Sequence, residues 1–224
     1  MSYDHRHSDR PVACGLGQRL PRPARLVGVL GTNTEVGKTW VSARILSMLR
    51  SRGLRVAARK PVQSFEPGAD DTDAALLAAA SSESANDVCP AHRCYPIPLA
   101  PPMAADVLGR KAILMDELLE EIRWPPDVDV GLVETVGGAR SPLAHDGDSI
   151  DLLRRLEVDE ILLVADAVLG SLNSIRLTLE CIGALPTTIV LNRYDQTIEL
   201  HRLNRRWLEK KCSASVLVDW REFA

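Results

Sequence analysis

The chain has 224 residues, the length of one α/β domain, and a 46% hydrophobic content that supplies an ordinary core. Its net charge of -3 excludes a surface built mainly for nucleic acid or anionic membrane. No apolar run approaches the ~18–20 residues of a membrane-spanning helix. The first residues, with Asp4, Arg6, Asp9 and Arg10, lack the apolar core of a secretory signal, so a cytoplasmic protein is expected.

Residues 1–24 hold prolines and charges without periodicity and read as a mobile N-terminal extension. Residues 25–224 read as a single domain. The apolar run 26–30 predicts a buried strand, and 41–52 a helix closed by Gly53. Between them stands Gly31-Thr32-Asn33-Thr34-Glu35-Val36-Gly37-Lys38-Thr39. A strand, a glycine-bearing turn, Lys-Thr and a helix start form the context of a phosphate-binding loop. Free amides and the positive end of the helix dipole attract an anion there. Lys38 adds a charge for the outer phosphates and Thr39 a hydroxyl for Mg²⁺. Gly31 lies one position earlier than the common form of that loop, where Thr32 stands instead.

A second strand is expected over 54–60, stopped by Pro61, then a loop to Gly68. Acids at 70, 71 and 73 open a helix over 74–80, and 81–102 reads as a long proline-rich loop. An amphipathic helix over 113–122 leads to a buried strand over 129–134, ending at Glu134, with a turn at 135–138. A helix over 149–156, a strand over 161–165 ending at Asp166, a helix over 173–182 and a strand over 187–191 reaching Asn192 follow. A basic helix over 200–211 and a last strand over 214–218 complete the chain. Apolar strands alternating with helices give a mostly parallel sheet in a three-layer α/β/α fold of the P-loop NTPase kind. Five scattered cysteines include the run Cys89-Pro90-Ala91-His92-Arg93-Cys94. No second Cys/His pair stands nearby to complete a zinc site, so these read as reduced, structural thiols.

Ligands of open parallel sheets bind at the carboxyl ends of the strands. That rule gathers the loop to Thr39, Lys60, Glu134, Asp166 and Asn192 around one crevice. Oxygen ligands for Mg²⁺ are expected from Thr39, Glu134 and one acid between Asp70 and Asp73. Lys38, Lys60 and the metal meet the charge demand of phosphoryl transfer.

From residue 26 to 195 the chain resembles dethiobiotin synthetase. The family loop, close to G-T-D-T-x-V-G-K-T, matches residues 31–39 except at Asn33, and it accounts for the early glycine. Lys60-Pro61-Val62-Gln63 followed by Ser64, Thr72-Asp73-Ala74, Val133 to Gly138, Val164 to Asn173 and Val190-Leu191-Asn192 match further family patterns. The resemblance implies ATP-dependent carboxylation of diaminopelargonate by CO₂. A carbamate and a carbamic-phosphoric anhydride then close to dethiobiotin, ADP and phosphate. It implies Thr39, Asp73 and Glu134 as Mg²⁺ ligands, and residues 32–39 with Asn192 as the ATP site, Asn192 reading the adenine edge. Lys38 and Thr34 then serve the phosphates, Lys60 and Ser64 the carbamate or amine. Gly170, Ser171, Leu172 and Asn173 receive the substrate carboxylate. A homodimer is implied. The family turn E-G-A-G-G is here Glu134-Thr135-Val136-Gly137-Gly138, so Thr135, with Phe65, is expected to reshape the amine pocket. Two other readings stay open: a related P-loop ligase acting on another amine or carboxylate, and an ATP-switch protein of the partitioning type. The latter class has a second lysine early in its loop, where Thr32 stands.

Overall fold

Both faces of the first strand are apolar, and it lies inside the sheet accordingly. In β1 (Arg25–Gly31), Leu26 and Leu30 enter one hydrophobic layer while Val27 and Val29 enter the other. That is the period-2 alternation of a strand covered on both sides. The structure is a computed structural model and describes residues 21–69 and 71–223. The predicted N-terminal extension lies outside the described residues up to residue 20, as does Asp70 among the expected acids. Residues just ahead of β1 are held: the Ala24 amide donates to the Val128 carbonyl at 2.9 Å, and Arg22 reaches the Glu157 carbonyl and Asp159.

The elements run in order α1 (Lys38–Ser51), β2 (Val56–Arg59), β3 (Gln63–Ser64), α2 (Asp73–Ser81), α3 (Ala85–Val88), β4 (Cys94–Tyr95), α4 (Pro101–Val107) and α5 (Met115–Glu121). Then come β5 (Val130–Gly138), β6 (Pro142–Ala144), β7 (Gly147–Asp148), α6 (Ser149–Arg155), β8 (Glu160–Asp166), α7 (Ser171–Ile182), β9 (Thr187–Asn192), α8 (Glu199–Lys211) and β10 (Ser215–Leu217). One six-stranded sheet has the order β10-β9-β8-β1-β5-β2, and its pairings are parallel. Helix α6 sits close on β1: a Cβ at Gly28 would lie 2.7 Å from a Leu153 methyl. Among the described residues no helix is long and apolar enough to cross a membrane.

The structure corrects several boundaries. The predicted loop 81–102 contains α3, a 3₁₀ turn Ala91–Arg93, β4 and the start of α4. Pro101 and Pro102 open α4 instead of breaking it, because the first turn of a helix tolerates a missing amide. Asp71 and Asp73 are not the cap of α2. Thr72 is, its hydroxyl accepting from the Ala75 amide. The expected turn at 135–138 belongs to β5, which runs on to pair Gly138 with Gly31.

Candidate active site

The residue ahead of helix α1, Gly37, sits in the left-handed region at φ 90°. A Cβ there would meet the Asn192 amide nitrogen at 2.2 Å, so glycine is required twice over. Gly37 offers no side-chain cap, which leaves the amides of the first turn to a ligand. The loop before it is exposed at Asn33, Thr34 and Glu35 and anchored by buried Val36. The Val36 carbonyl accepts from Asn192 Nδ2 at 2.9 Å, tying the loop to the end of β9.

Glu134 is fully buried at the end of the apolar half of β5 and is met by three donors. Lys60 Nζ lies 2.9 Å and Thr39 Oγ1 2.7 Å from its Oε1, and Ser42 Oγ donates to Oε2 at 2.8 Å. Asp73 joins this group at the start of α2: its Oδ1 is 2.7 Å from Thr39 Oγ1, and its Oδ2 is 2.7 Å from Lys60 Nζ. Burial alone would lower the Lys60 pKa, but Glu134 and then Asp73 outweigh it and hold the ammonium protonated. The Asp73 carboxyl is pushed up by burial and pulled further down by Lys60, so it stays below the usual range. Lys38 Nζ donates to the carbonyls of Asn33 at 3.3 Å and Gly137 at 3.0 Å. Burial first, then the neighbouring Lys60, lowers its pKa to about 8. Lys60 is already answered by two carboxylates, so Lys38, desolvated and held only by carbonyls, is the cation left for an incoming phosphate.

The oxygens of Thr39, Asp73 and Glu134 crowd together with a single hydroxyl proton for two carboxylates. Among the described residues no group of three or more His, Cys, Asp or Glu side chains converges. Two carboxylates and a hydroxyl are all hard oxygen donors. They fit Mg²⁺, which keeps several waters and shares phosphate oxygens, and they would be a poor zinc site.

A cavity of about 560 Å³ opens over this group, lined among others by Thr34, Glu35, Thr39, Ser64 and Asp73. It shares Gly37, Trp40 and Arg193 with a neighbouring cavity of about 480 Å³ walled by Asn192, Tyr194 and Trp220. The structure therefore brings together Thr34, Lys38, Thr39, Lys60, Ser64, Asp73 and Glu134. The Ser64 hydroxyl is turned to the Leu99 carbonyl at 2.6 Å, so it reaches a ligand only by exchanging that bond. Thr32 and Asn33 support the loop without lining the cavity, Thr32 through its amide bond to the Val164 carbonyl at 3.1 Å. Gly170, Ser171, Leu172 and Asn173 stand outside it, at the start of α7 after β8.

Thr135 departs from its expected role. It is fully buried and its hydroxyl donates to the Val29 carbonyl at 2.8 Å, inside the sheet. Val136 lines the cavity instead, and Phe65 does not line it. Replacing Thr135 by Val should therefore cost stability, about 1–3 kcal/mol for a carbonyl left without its partner, while turnover of folded protein stays within twofold. Denaturant melts beside steady-state rates check this, and a collapse of turnover at unchanged stability would return Thr135 to the amine pocket.

Ser42, Arg193, Trp40 and Trp220 were not read from the sequence. Ser42 was accessible to reasoning, since it lies three residues after Thr39 on one face of α1. Arg193 directly follows the strand end at Asn192 and bonds the Glu35 carbonyl at 3.0 Å. Trp40 and Trp220 meet edge to face at 6.5 Å across 180 residues, which no local pattern announces.

A six-stranded parallel sheet with a glycine turn suited to an anion, and a buried Lys38 followed by Thr39 at the head of its first helix, defines a P-loop nucleotide-binding protein. The fold of the AMPPNP-bound putative plasmid partition protein of Borrelia burgdorferi is similar, with a TM-score of 0.51, 14% identity and coverage of 92% of this chain and 89% of that one. That likeness shows the fold alone. Residues 25–218 match the model of a family described as an AAA domain. The chain is 41% identical over 163 residues to the ATP-dependent dethiobiotin synthetase BioD of Caulobacter vibrioides, covering 70% of this chain and 73% of that one. It is 36% identical over 192 residues to the protein of that name from Haloferax mediterranei, covering 84% and 80%. The chain belongs to the dethiobiotin synthetase family.

Proposed function

We propose that this protein is an ATP-dependent cyclo-ligase that converts diaminopelargonate and CO₂ to dethiobiotin, ADP and phosphate. Family membership supports the reaction. The observation that ties it to this chain is the placement of Lys60 between Asp73 and Glu134, beside Lys38 and the glycine turn.

Carbon dioxide adds to one amine of the substrate, and Lys60, held as an ammonium, favours the carbamate anion that forms. Lys38 and the first-turn amides of α1 orient the triphosphate so that its terminal phosphoryl group faces the carbamate. Phosphoryl transfer activates the carbamate carbon, and attack by the second amine closes the ring and expels phosphate. Thr39, Asp73 and Glu134 would hold Mg²⁺, which supplies charge neutralisation between the outer phosphates. The Trp40 and Trp220 wall beside Asn192 suits a nucleobase, with the Asn192 carboxamide oxygen left to read an adenine edge after its nitrogen is taken by Val36.

Residues 25–224 act in this reading as a single P-loop domain in the cytoplasm. We also propose a homodimer. Gly170 to Asn173 lie away from the cavity of their own chain, at the start of a 12-residue helix whose first turn suits a carboxylate. Val168 and Leu169 beside them are exposed, 53% and 84%, as an interface of two copies requires. The partition-type reading finds no support in the loop, where Thr32 replaces the second lysine.

Incubation of the protein with diaminopelargonate, bicarbonate and MgATP should yield dethiobiotin by mass spectrometry. Hydrolysis of ATP without that product, or only with a different amine, would redirect the assignment to a related ligase.

A further inference from the structure

The wall of the active site that carries Lys60 and Asp73 is backed by one short segment, and that segment ends in two cysteines. The Lys60 amide donates to the Val88 carbonyl at 2.8 Å, one residue before Cys89. At the other end, β3 and β4 pair in parallel with Gln63 opposite Cys94. Gln63 Nε2 donates to Cys94 Sγ at 3.2 Å, and Gln63 Oε1 accepts from the Ala74 amide at 3.0 Å, next to Asp73. The two sulfurs themselves lie 3.7 Å apart. The intervening residues form the 3₁₀ turn that starts after Pro90, so the chain already folds the cysteines toward each other.

We propose that Cys89 and Cys94 form a dithiol modification site that exchanges with a low-molecular-weight disulfide to close an intramolecular bridge, and that closure loosens the Lys60–Asp73 wall. The consequence for turnover rests on the ligase reading above, whereas the site itself does not.

The two thiols are unlike. Cys89 is 2% exposed, while Cys94 is half-buried and within reach of solvent. Contact with the Cys89 sulfur, against the opposing effect of burial, lowers the Cys94 pKa to about 6, with Gln63 and Arg110 assisting. The same contact and deeper burial push the Cys89 thiol up, so Cys89 is the less easily ionised of the two. Cys94 is therefore the attacking thiolate. It bonds to one sulfur of the small disulfide and expels the other half as a thiolate. Cys89 then gives its proton to solvent and attacks Cys94 Sγ, expelling the second thiolate. Two protein thiols are oxidised and one small disulfide is reduced to two thiols.

A disulfide needs its sulfurs about 2.05 Å apart, so the pair must close by roughly 1.7 Å from 3.7 Å. Closure also removes the thiolate that accepts from Gln63. The carboxamide that fixes the first turn of α2 is then free to turn, and the Val88 anchor of Lys60 is pulled along with Cys89.

The test uses the full reduced chain with oxidised glutathione as the probe. Residual thiols are alkylated, peptides are mapped without reduction, and hydrogen exchange is followed at the Lys60 and Ala74 amides. The expected result is a Cys89–Cys94 bridge, faster exchange at both amides, and a fall of at least fivefold in dethiobiotin turnover that dithiothreitol reverses. A Cys94→Ser variant should show none of these responses to the oxidant. Free thiols, a glutathione adduct that never resolves, or a bridge that leaves exchange at both amides unchanged would overturn the proposal. If the reduced protein makes no dethiobiotin, the ligase reading fails, and peptide mapping with hydrogen exchange still decides the site.

Discussion

Replacing Lys38 by Ala should reduce dethiobiotin formation at least a thousandfold. The ammonium is held by two backbone carbonyls, Asn33 and Gly137, and not by a carboxylate, so its charge is uncommitted within the protein. Burial has already taken most of its water, and the nearby Lys60 makes the charge less favourable still. A triphosphate supplies the missing counter-charge. Removing one preorganised charge from a phosphoryl-transfer site costs on the order of 10²–10³ in rate, and loss of nucleotide binding adds to that. The protein should remain folded, because the deletion removes a desolvated charge and leaves two carbonyls, that of exposed Asn33 and that of Gly137 on the cavity wall. Single-turnover rates with a melting curve on the same sample check both halves. A variant within tenfold of the parent in turnover would mean that the phosphates bind elsewhere.

Lys60→Ala should fail differently. Lys60 is 2% exposed and Glu134 is fully buried, so the truncation leaves a carboxylate inside the protein with only hydroxyl partners. Breaking one member out of such a buried pair costs about 3–5 kcal/mol. Turnover should drop about 10²–10³-fold as well, because the carbamate would lose the cation proposed for it. Magnesium gives the distinguishing signature: a divalent ion at the proposed site of Thr39, Asp73 and Glu134 would replace the lost positive charge. Added Mg²⁺ should therefore raise the melting temperature of Lys60→Ala more than that of the parent. Equal shifts in both would remove Asp73 and Glu134 from the proposed metal site.

The sequence made the centre of this molecule readable and its flank unreadable, for physical reasons. The strand over 26–30, the glycine turn and the Lys-Thr helix start each follow a strong local rule, and all three lie where expected. Glu134 was legible because a carboxylate at the end of an apolar strand demands partners, and it has three. The stretch from 81 to 107 was not legible. Its elements are short, with α3 four residues long, and their stability comes from packing on the core instead of from periodicity. Pro101 and Pro102 signal a break to any local reading, although the first turn of α4 accommodates both. Thr135 stands at a motif position, but a motif position does not fix the direction of a side chain, and here the hydroxyl turns into the sheet. In a strand, adjacent side chains point to opposite faces, and the cavity side belongs to Val136. Trp220 was invisible because its contact with Trp40 exists only after the chain has folded.

In the proposed reaction a nucleoside triphosphate and its metal dock where Thr34, Lys38, Thr39, Lys60 and Glu134 converge. A crystal structure of the full chain with a non-hydrolysable ATP analogue and Mg²⁺ tests it most directly. The terminal phosphate should lie about 3 Å from Lys38 Nζ and the metal on the Thr39 hydroxyl, with the base against Trp40 and Trp220. A nucleotide bound at the opposite end of the sheet, or a cavity that stays empty at saturating analogue, would contradict it.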